Sequence, residues 1–143
     1  QKIAFTLSDL FCVDRHRDSF KELIENNVDI LFANEDEILA QCQSSNFEEA
    51  IEFSKSLNII VAITRAAKGS IVVHKEKIIE VNPVKVDKVI DTTGAGDLYA
   101  AGLLFGIANE KSLEESGSFA SIAAAEIISH FGARPLVQLS SLI

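Results

Sequence analysis

Short apolar runs alternate with helical patterns along the first part of this 143-residue chain. The runs at residues 3–7, 29–33 and 59–63 have the length and composition of buried strands. Helical patterns separate each run from the next. Strands that alternate with helices in this way form a mainly parallel sheet with helices on both faces. The sequence therefore predicts an α/β fold.

Five helices and one β-hairpin complete the expected elements. The hairpin joins residues 70–74 to residues 77–81, and Pro83 ends its second strand. No linker, repeat or low-complexity tract divides the chain, so we expect one domain over residues 1–143. The expected helices cover roughly residues 15–26, 34–42, 46–57, 95–109 and 113–130.

Three of these helices have recognisable starts. Asn34 is a favourable N-cap before an acidic first turn, which suits the positive end of the helix dipole. Asn46 with Glu49, and Ser112 with Glu115, have the spacing of capping boxes. These caps support the predicted helix starts.

Polar and glycine-rich motifs follow three of the expected strands. They lie in the loops after residues 33, 63 and 90, which we expect to leave the carboxyl ends of strands. Ligands of open α/β sheets bind at that edge. The sequence therefore predicts a ligand site where these three loops meet.

The run at residues 91–97 contains two glycines around an alanine, then a carboxylate and a long apolar stretch. This pattern predicts a tight turn that opens a helix. The first N–H groups of a helix have no partner within it, so they attract an anion, and glycine lets the backbone approach that anion closely. Asp97 would then lie beside the anion and could accept a proton from a hydroxyl that attacks a phosphate. The alternative is an ordinary helix start with an acidic first turn.

The complete run Asp91-Thr92-Thr93-Gly94-Ala95-Gly96-Asp97 resembles the second signature of the PfkB, or ribokinase-like, family of small-molecule kinases. The resemblance implies that Gly94, Ala95 and Gly96 form an anion hole and that Asp97 is the catalytic base. It also implies a ribokinase-like three-layer α/β/α fold and ATP-dependent phosphorylation of a primary hydroxyl on a nucleoside or sugar. Residues 7–11 and 28–32 look most like the adenosine kinase branch.

Asn34 and Glu37 match the N-x-x-E motif of this family. The resemblance implies a part in a Mg²⁺ and phosphate network, with Glu37 acting on the metal through water. Carboxylate and amide oxygens suit Mg²⁺, which usually keeps several waters. On the residues alone, a capped acidic helix start explains the motif equally well.

The loop at residues 64–69 resembles the family's T-x-G-x-x-G loop, which lines the phosphates and ribose of the nucleotide. Thr64 and Gly69 match that pattern, whereas Ala66 stands where the family usually has glycine. Arg65 and Lys68 can pair with phosphate. The alternative for both is a pair of solvated charges in a turn.

The segment from Ser121 to Pro135 resembles the closing helix of the family and the G-A-x-P sequence that follows it. The resemblance places Ser121 in the adenine pocket, while plain helix packing explains most of the alanine-rich stretch.

Many members of the family hold a monovalent cation such as K⁺ beside the anion hole. Asp91 and Thr93 match that site, although Leu136 stands where serine is frequent. The remaining ligands would be backbone oxygens around Ile127, His130 and Gly132.

Net charge, hydropathy and cysteine spacing limit the partners and the cellular location that we expect for this chain. A formal net charge of −8 argues against nucleic acid and anionic membranes, which require a basic surface. No apolar run is long enough for a transmembrane helix, and no signal peptide is recognisable. Cys12 and Cys42 show no metal-binding or redox spacing, so we expect reduced thiols in a cytoplasmic protein.

The chain begins with Gln1 and contains no methionine, so we expect a fragment of a longer protein. By resemblance, residues 1–143 are the nucleotide-binding and catalytic C-terminal half, while the N-terminal half with the substrate motif and lid is absent. Its absence would expose apolar surface, which favours association such as a homodimer. The alternative function is a non-catalytic nucleotide-binding or regulatory module. The acceptor cannot be named from these residues.

Overall fold

The computed structural model describes residues 1–142 and contains five β-strands and five α-helices within that range. The strands are β1 (Ala4–Thr6), β2 (Ile30–Asn34), β3 (Ile60–Thr64), β4 (Ser70–His74) and β5 (Lys77–Val81). The helices are α1 (Leu10–Asn27), α2 (Glu35–Cys42), α3 (Phe47–Ser56), α4 (Ala95–Ala108) and α5 (Leu113–Ile127).

The strands form one sheet in the order β1-β2-β3-β4-β5. β1 pairs with β2, and β2 with β3, in parallel, with Ala4 opposite Ile30 and Ile30 opposite Ile60. β4 and β5 are joined by the turn at Lys75 and Glu76. The predicted α/β class and the predicted hairpin are therefore confirmed.

By its contacts, the chain divides into two compact units. The first contains residues 1–65 and 71–79, and the second contains residues 66–70 and 80–143. In the first unit, fully buried side chains such as Leu31, Val61 and Ile63 form the core. β2 and β3, which carry these side chains, are continuous apolar runs in the sequence, because strands of a parallel sheet are commonly buried on both faces.

In the second unit, α4 packs closely on α5 through small residues. A Cβ atom built on Gly102 would lie 2.7 Å from the Ala120 Cα, and one built on Gly106 would lie 2.7 Å from the Ser116 Cα. Side chains at these two positions would push the helices apart. The glycines therefore allow the contact that holds α4, and the turn before it, in place.

Three local predictions differ from the structure. α1 begins at Leu10 instead of residue 15, because the Asp9 carboxylate accepts a hydrogen bond from Cys12 N–H at 2.8 Å and caps the helix. α5 ends at Ile127 instead of residue 130. The strand expected before the loop at residue 90 is also absent, since residues 82–92 contain no strand. Ile90 N–H donates to Ile128 O at 2.8 Å, beyond the end of α5.

The capping box predicted at Asn46 and Glu49 is also wrong. The Asn46 side chain accepts a hydrogen bond from Glu48 N–H, and Asn46 N–H donates to Ser44 Oγ. The Glu49 carboxylate accepts a hydrogen bond from the Ser44 hydroxyl group. In a capping box it would accept from the backbone N–H of Asn46, which here donates to Ser44 Oγ. The capping box at Ser112 and Glu115 is confirmed.

None of the helices found between residues 1 and 142 combines the length and apolar character that crossing a membrane requires.

Candidate functional site

Gly94 forms the turn that opens α4. Its φ of 81° and ψ of 1° lie in the left-handed region, which glycine adopts at little cost. A Cβ atom at this position would also lie 3.0 Å from the Ala133 Cβ. Both the backbone conformation and the close contact with Ala133 therefore require glycine here.

The start of α4 presents two open N–H groups. Ala95 N–H donates to Thr92 O at 3.1 Å, and Leu98 N–H donates to Gly94 O at 2.9 Å. Between them, the N–H groups of Gly96 and Asp97 have no acceptor within residues 1–142. Gly96 and Asp97 are exposed, and a Cβ atom at Gly96 would meet nothing within 4 Å. This helix start therefore has the donors and the space that an anion needs.

Tyr99 anchors the first turns of α4. Its buried hydroxyl donates to Ser70 Oγ at 2.7 Å, and Ser70 is the first residue of β4. Burial raises the pKa of Tyr99, so the phenol stays a neutral donor. The hydrogen bond fixes α4 one turn beyond the open N–H groups.

Asp91 is held by two backbone N–H groups. Its Oδ1 accepts from Thr93 N–H at 2.9 Å, and its Oδ2 accepts from Gly132 N–H at 3.1 Å. These hydrogen bonds hold the pKa of Asp91 below its usual value, and the bond from Thr93 N–H has the largest effect. Asp91 is therefore a carboxylate at neutral pH. Asp91, Thr93 and Gly132, predicted to share one site, are therefore brought together.

His130 contacts a residue that the sequence did not single out. Its Nε2 lies 3.0 Å from Glu126 Oε1, and the two side chains are 14% and 10% exposed. Glu126 Oε1 also accepts from Leu136 N–H at 2.9 Å. The four-residue spacing of Glu126 and His130, within the helix that the sequence predicts to reach residue 130, was a usable signal for this pair.

Asn34 and Glu37 form a complete capping box at the start of α2. Asn34 Oδ1 accepts from Glu37 N–H at 2.8 Å, and Glu37 Oε2 accepts from Asn34 N–H at 2.9 Å. Asn34 Nδ2 donates to Glu37 Oε1 at 2.8 Å. Glu37 is 6% exposed, and this burial raises the pKa of its carboxyl group. The helix-cap interpretation is confirmed, whereas a role toward Mg²⁺ stays a prediction.

Thr64 lies beside Asn34 at the carboxyl end of the parallel strands. The two residues are opposite each other in the β2–β3 register. Arg65 follows, and its Nε donates to Glu35 Oε2 at 2.8 Å while its guanidinium lies 4.0 Å above the ring of Phe47. The arginine is therefore packed against its own unit instead of being a solvated turn charge. Pairing with phosphate stays a prediction for Arg65.

Two residues of the 64–69 loop have left-handed backbone conformations. Ala66 has a φ of 50° and Gly69 a φ of 83°. A Cβ atom at Gly69 would overlap the Val81 carbonyl oxygen and lie 3.0 Å from the Pro83 Cδ, so glycine is required there. Lys68 is exposed on this loop.

Ser121 links α5 to the segment after β5. Its Oγ donates to Asn82 O at 3.0 Å and accepts from Val84 N–H at 3.2 Å. The hydroxyl thus has a structural role in fixing residues 82–84. Its predicted position in an adenine pocket stays a prediction.

The two units carry different parts of the predicted site. The first unit carries Asn34, Glu37, Thr64 and Arg65. The second unit carries Lys68, Gly69, Asp91, Thr93, Gly94, Ala95, Gly96, Asp97, Ser121, Ile127, His130 and Gly132.

Fold and site together define an α/β protein with a glycine turn that opens a candidate anion-binding helix. The chain belongs to the pfkB family of carbohydrate kinases, whose characteristic sequence pattern matches residues 3–139.

Individual relatives agree with this assignment. An uncharacterized sugar kinase of Archaeoglobus fulgidus is 36% identical over 114 residues, which are 79% of this chain and 45% of that protein. A nucleoside kinase of Methanocaldococcus jannaschii is 34% identical over 107 residues, which are 75% of this chain and 34% of that protein. The crystal structure of adenosine kinase from Sinorhizobium meliloti is 43% identical, with a TM-score of 0.96, over 99% of this chain and 44% of that one.

The predicted ribokinase-like fold is confirmed by these likenesses. The chain spans less than half the length of each of the three relatives.

Proposed function

We propose that residues 1–143 are the nucleotide-binding and catalytic part of a kinase that phosphorylates a primary hydroxyl group on an adenosine-like nucleoside or a sugar, with ATP as the donor. The observation that carries the proposal is the start of α4. There, two N–H groups that have no acceptor among the described residues lie next to an exposed carboxylate, Asp97. The names of the relatives, which include sugar, nucleoside and adenosine kinases, support this acceptor class.

In this proposal Asp97 is the general base. It accepts the proton of the acceptor hydroxyl as that oxygen forms its bond to the γ-phosphorus and the bond from phosphorus to the ADP oxygen breaks. The residues of the turn, Gly94, Ala95 and Gly96, form the anion hole. Because Ala95 N–H is engaged by Thr92 O, we assign the open donors to Gly96 and Asp97. Positioning and electrostatic stabilisation supply most of the catalysis.

Kinases of this family use ATP, typically with Mg²⁺, and the residues of the α2 cap fit a water-mediated role toward that metal. Each oxygen of Glu37 accepts one hydrogen bond, from the backbone or side chain of Asn34, so each retains a lone pair for a metal-bound water. Within the described residues, no group of three or more His, Cys, Asp or Glu side chains could hold a metal directly. When bound, Mg²⁺ would neutralise charge on the phosphates.

The other predicted contacts concern the nucleotide and a monovalent cation. We assign Asn34, Thr64, Arg65, Lys68 and Gly69 to the phosphates and ribose, and Ser121 to the adenine. Asp91, with its depressed pKa, is a suitable carboxylate ligand for K⁺. Thr93 and backbone oxygens around Ile127, His130 and Gly132 would complete that cation site.

An acceptor panel on the full-length protein tests the proposal. ADP release is measured with ATP, Mg²⁺ and either adenosine, other nucleosides or a series of sugars. We expect turnover that depends on one acceptor class. ATP binding without turnover on any acceptor would contradict the proposal and favour a non-catalytic nucleotide-binding module.

A further inference from the structure

Glu126 is a largely buried carboxylate that the proposed phosphoryl transfer does not use. It lies in the last turn of α5, and its side chain is 10% exposed. Its Oε1 accepts from Leu136 N–H at 2.9 Å and lies 3.0 Å from His130 Nε2. Its Oε2 is buried and has no hydrogen-bond partner in the part of the chain that the structure describes. A carboxylate is costly to bury, so its presence here needs an explanation.

The His130 ring lies within hydrogen-bond distance of two oxygen atoms. His130 Nδ1 lies 3.2 Å from Phe131 O, while Nε2 faces Glu126 Oε1. With its proton on Nε2, the ring donates to Glu126 Oε1, so the Glu126 carboxylate holds residue 130 as well as residue 136.

The segment between these two contacts, residues 128–136, reaches the glycine turn. Gly132 N–H donates to Asp91 Oδ2 at 3.1 Å. Ala133 lies so close to Gly94 that an added Cβ atom would approach the Ala133 Cβ to 3.0 Å. Glu126 therefore holds residues 130 and 136, while the residues between them contact Asp91 and Gly94.

We propose that Glu126 is a positioning residue for the turn at residues 91–97 and acts through segment 128–136. The inference rests on the proposed function, because that turn carries the assigned general base. With Glu126 in place, Gly132 and Ala133 support the two ends of the Asp91–Gly94 stretch, and the open N–H groups after it keep a fixed direction. Without Glu126, the segment is released at two points and the turn loses this support.

The test compares Glu126→Ala and Glu126→Gln with a matched control, Glu80→Gln, which changes an exposed glutamate of the same unit. In ¹H–¹⁵N spectra of the chain, the alanine variant should displace the amide signals of Gly132 and Thr93. In the full-length protein it should lower kcat by about 10²-fold, the size expected for misplaced reacting groups, with a smaller change in the KM for ATP. Glutamine keeps an oxygen that can accept both bonds, so it should restore the amide signals and most of kcat.

A folded Glu126→Ala variant with unchanged Gly132 and Thr93 signals and unchanged kcat would overturn the proposal. So would a glutamine variant that behaves like alanine, because an oxygen acceptor at this position would then not matter. If Glu126→Ala does not fold, His130→Ala removes one of the two contacts, and undisturbed Gly132 and Thr93 signals would again overturn the proposal. The amide signals do not require activity, so a wild-type protein without kinase activity would contradict the proposed function and leave this test intact.

Discussion

Ala66 has a φ of 50°, in the region where the Cβ atom of an L-residue is unfavourable. Glycine tolerates this conformation, which explains physically why the family usually has glycine here. We expect Ala66→Gly to stabilise the protein by about 1 kcal/mol, because relief of strain exceeds the added entropy of the unfolded chain. Chemical denaturation measures the change. Ala67→Gly, at a residue without a positive φ, is the control and should not stabilise. Equal or lower stability of Ala66→Gly would contradict this interpretation.

Gly96 and Gly69 belong to the same predicted site but have opposite surroundings. A side chain at Gly96 meets open space, whereas one at Gly69 overlaps the Val81 carbonyl oxygen. We expect Gly96→Val to change thermal unfolding little while weakening the stabilisation by ATP, because its methyl groups would cover the open N–H groups. Gly69→Ala should lower the melting temperature without any ligand. Melting curves with and without ATP separate the two effects, and full ATP-induced stabilisation of Gly96→Val would argue against the anion hole.

Residues that belong to a local pattern could be identified from the sequence, whereas residues that act across the fold could not. Gly94 and Asp97 stand in a seven-residue run whose turn chemistry is local, so their positions at the helix start could be predicted. The spacing of Glu126 and His130 was a local signal, but the second contact of Glu126 could not be predicted in this way. Its partner Leu136 lies ten residues further along the chain, and that contact depends on the path of the segment after α5.

At the scale of elements, the start of α2 combines a helix cap with a predicted metal contact. Glutamine at position 37 can still accept one hydrogen bond from Asn34, but its amide group cannot replace the second carboxylate oxygen as an acceptor. We expect Glu37→Gln to cost about 1 kcal/mol of stability and to raise the Mg²⁺ concentration needed for the half-maximal rate.

Glu115→Gln is the matched control, because Glu115 has the same place in the capping box of α5. It should lower stability less, because Glu115 is exposed and glutamine can still accept from the Ser112 N–H, and it should leave the Mg²⁺ requirement unchanged. A titration with Mg²⁺ in the full-length enzyme measures this difference. The same Mg²⁺ requirement in both variants and the wild type would show that Glu37 is only a helix cap.

The boundaries of the elements show where sequence patterns are sufficient. The hairpin was predicted residue for residue, because its apolar strands are bounded by the turn at Lys75 and Glu76 and by a proline. The end of α5 was predicted too late. The apolar pattern at the end of α5 would suit a longer helix. However, Ile128 O accepts a hydrogen bond from Ile90 N–H, and the chain leaves the helix there. That tertiary contact carries no local signal.

At the scale of the whole molecule, the chain spans less than half the length of its relatives. We expect residues 1–143 alone to bind ATP weakly and to phosphorylate no acceptor at a useful rate. An acceptor hydroxyl must be held close to the γ-phosphate, and such positioning can contribute roughly 7–11 kcal/mol. We propose that this task depends on the part of the relatives' length that the chain does not match.

The measurement is ADP release by the purified 143-residue chain with adenosine and several sugars. Turnover that depends on an acceptor and approaches a kinase rate of about 1–100 s⁻¹ would contradict this expectation. Exposed apolar side chains such as Phe11, Phe105 and Phe131 favour association of the isolated chain. A homodimer therefore stays a prediction, which sedimentation velocity would test.

We propose that this chain carries the catalytic base of a small-molecule kinase at Asp97. The most direct test is the steady-state kinetics of Asp97→Asn in the full-length enzyme, with Asp87→Asn as an exposed control in the same unit. We predict that kcat falls by about 10²- to 10⁴-fold, the usual loss when a general base is removed, while ATP affinity stays within a few-fold of the wild type. Asp87→Asn should behave like the wild type. A kcat of Asp97→Asn within tenfold of the wild-type value would contradict the account.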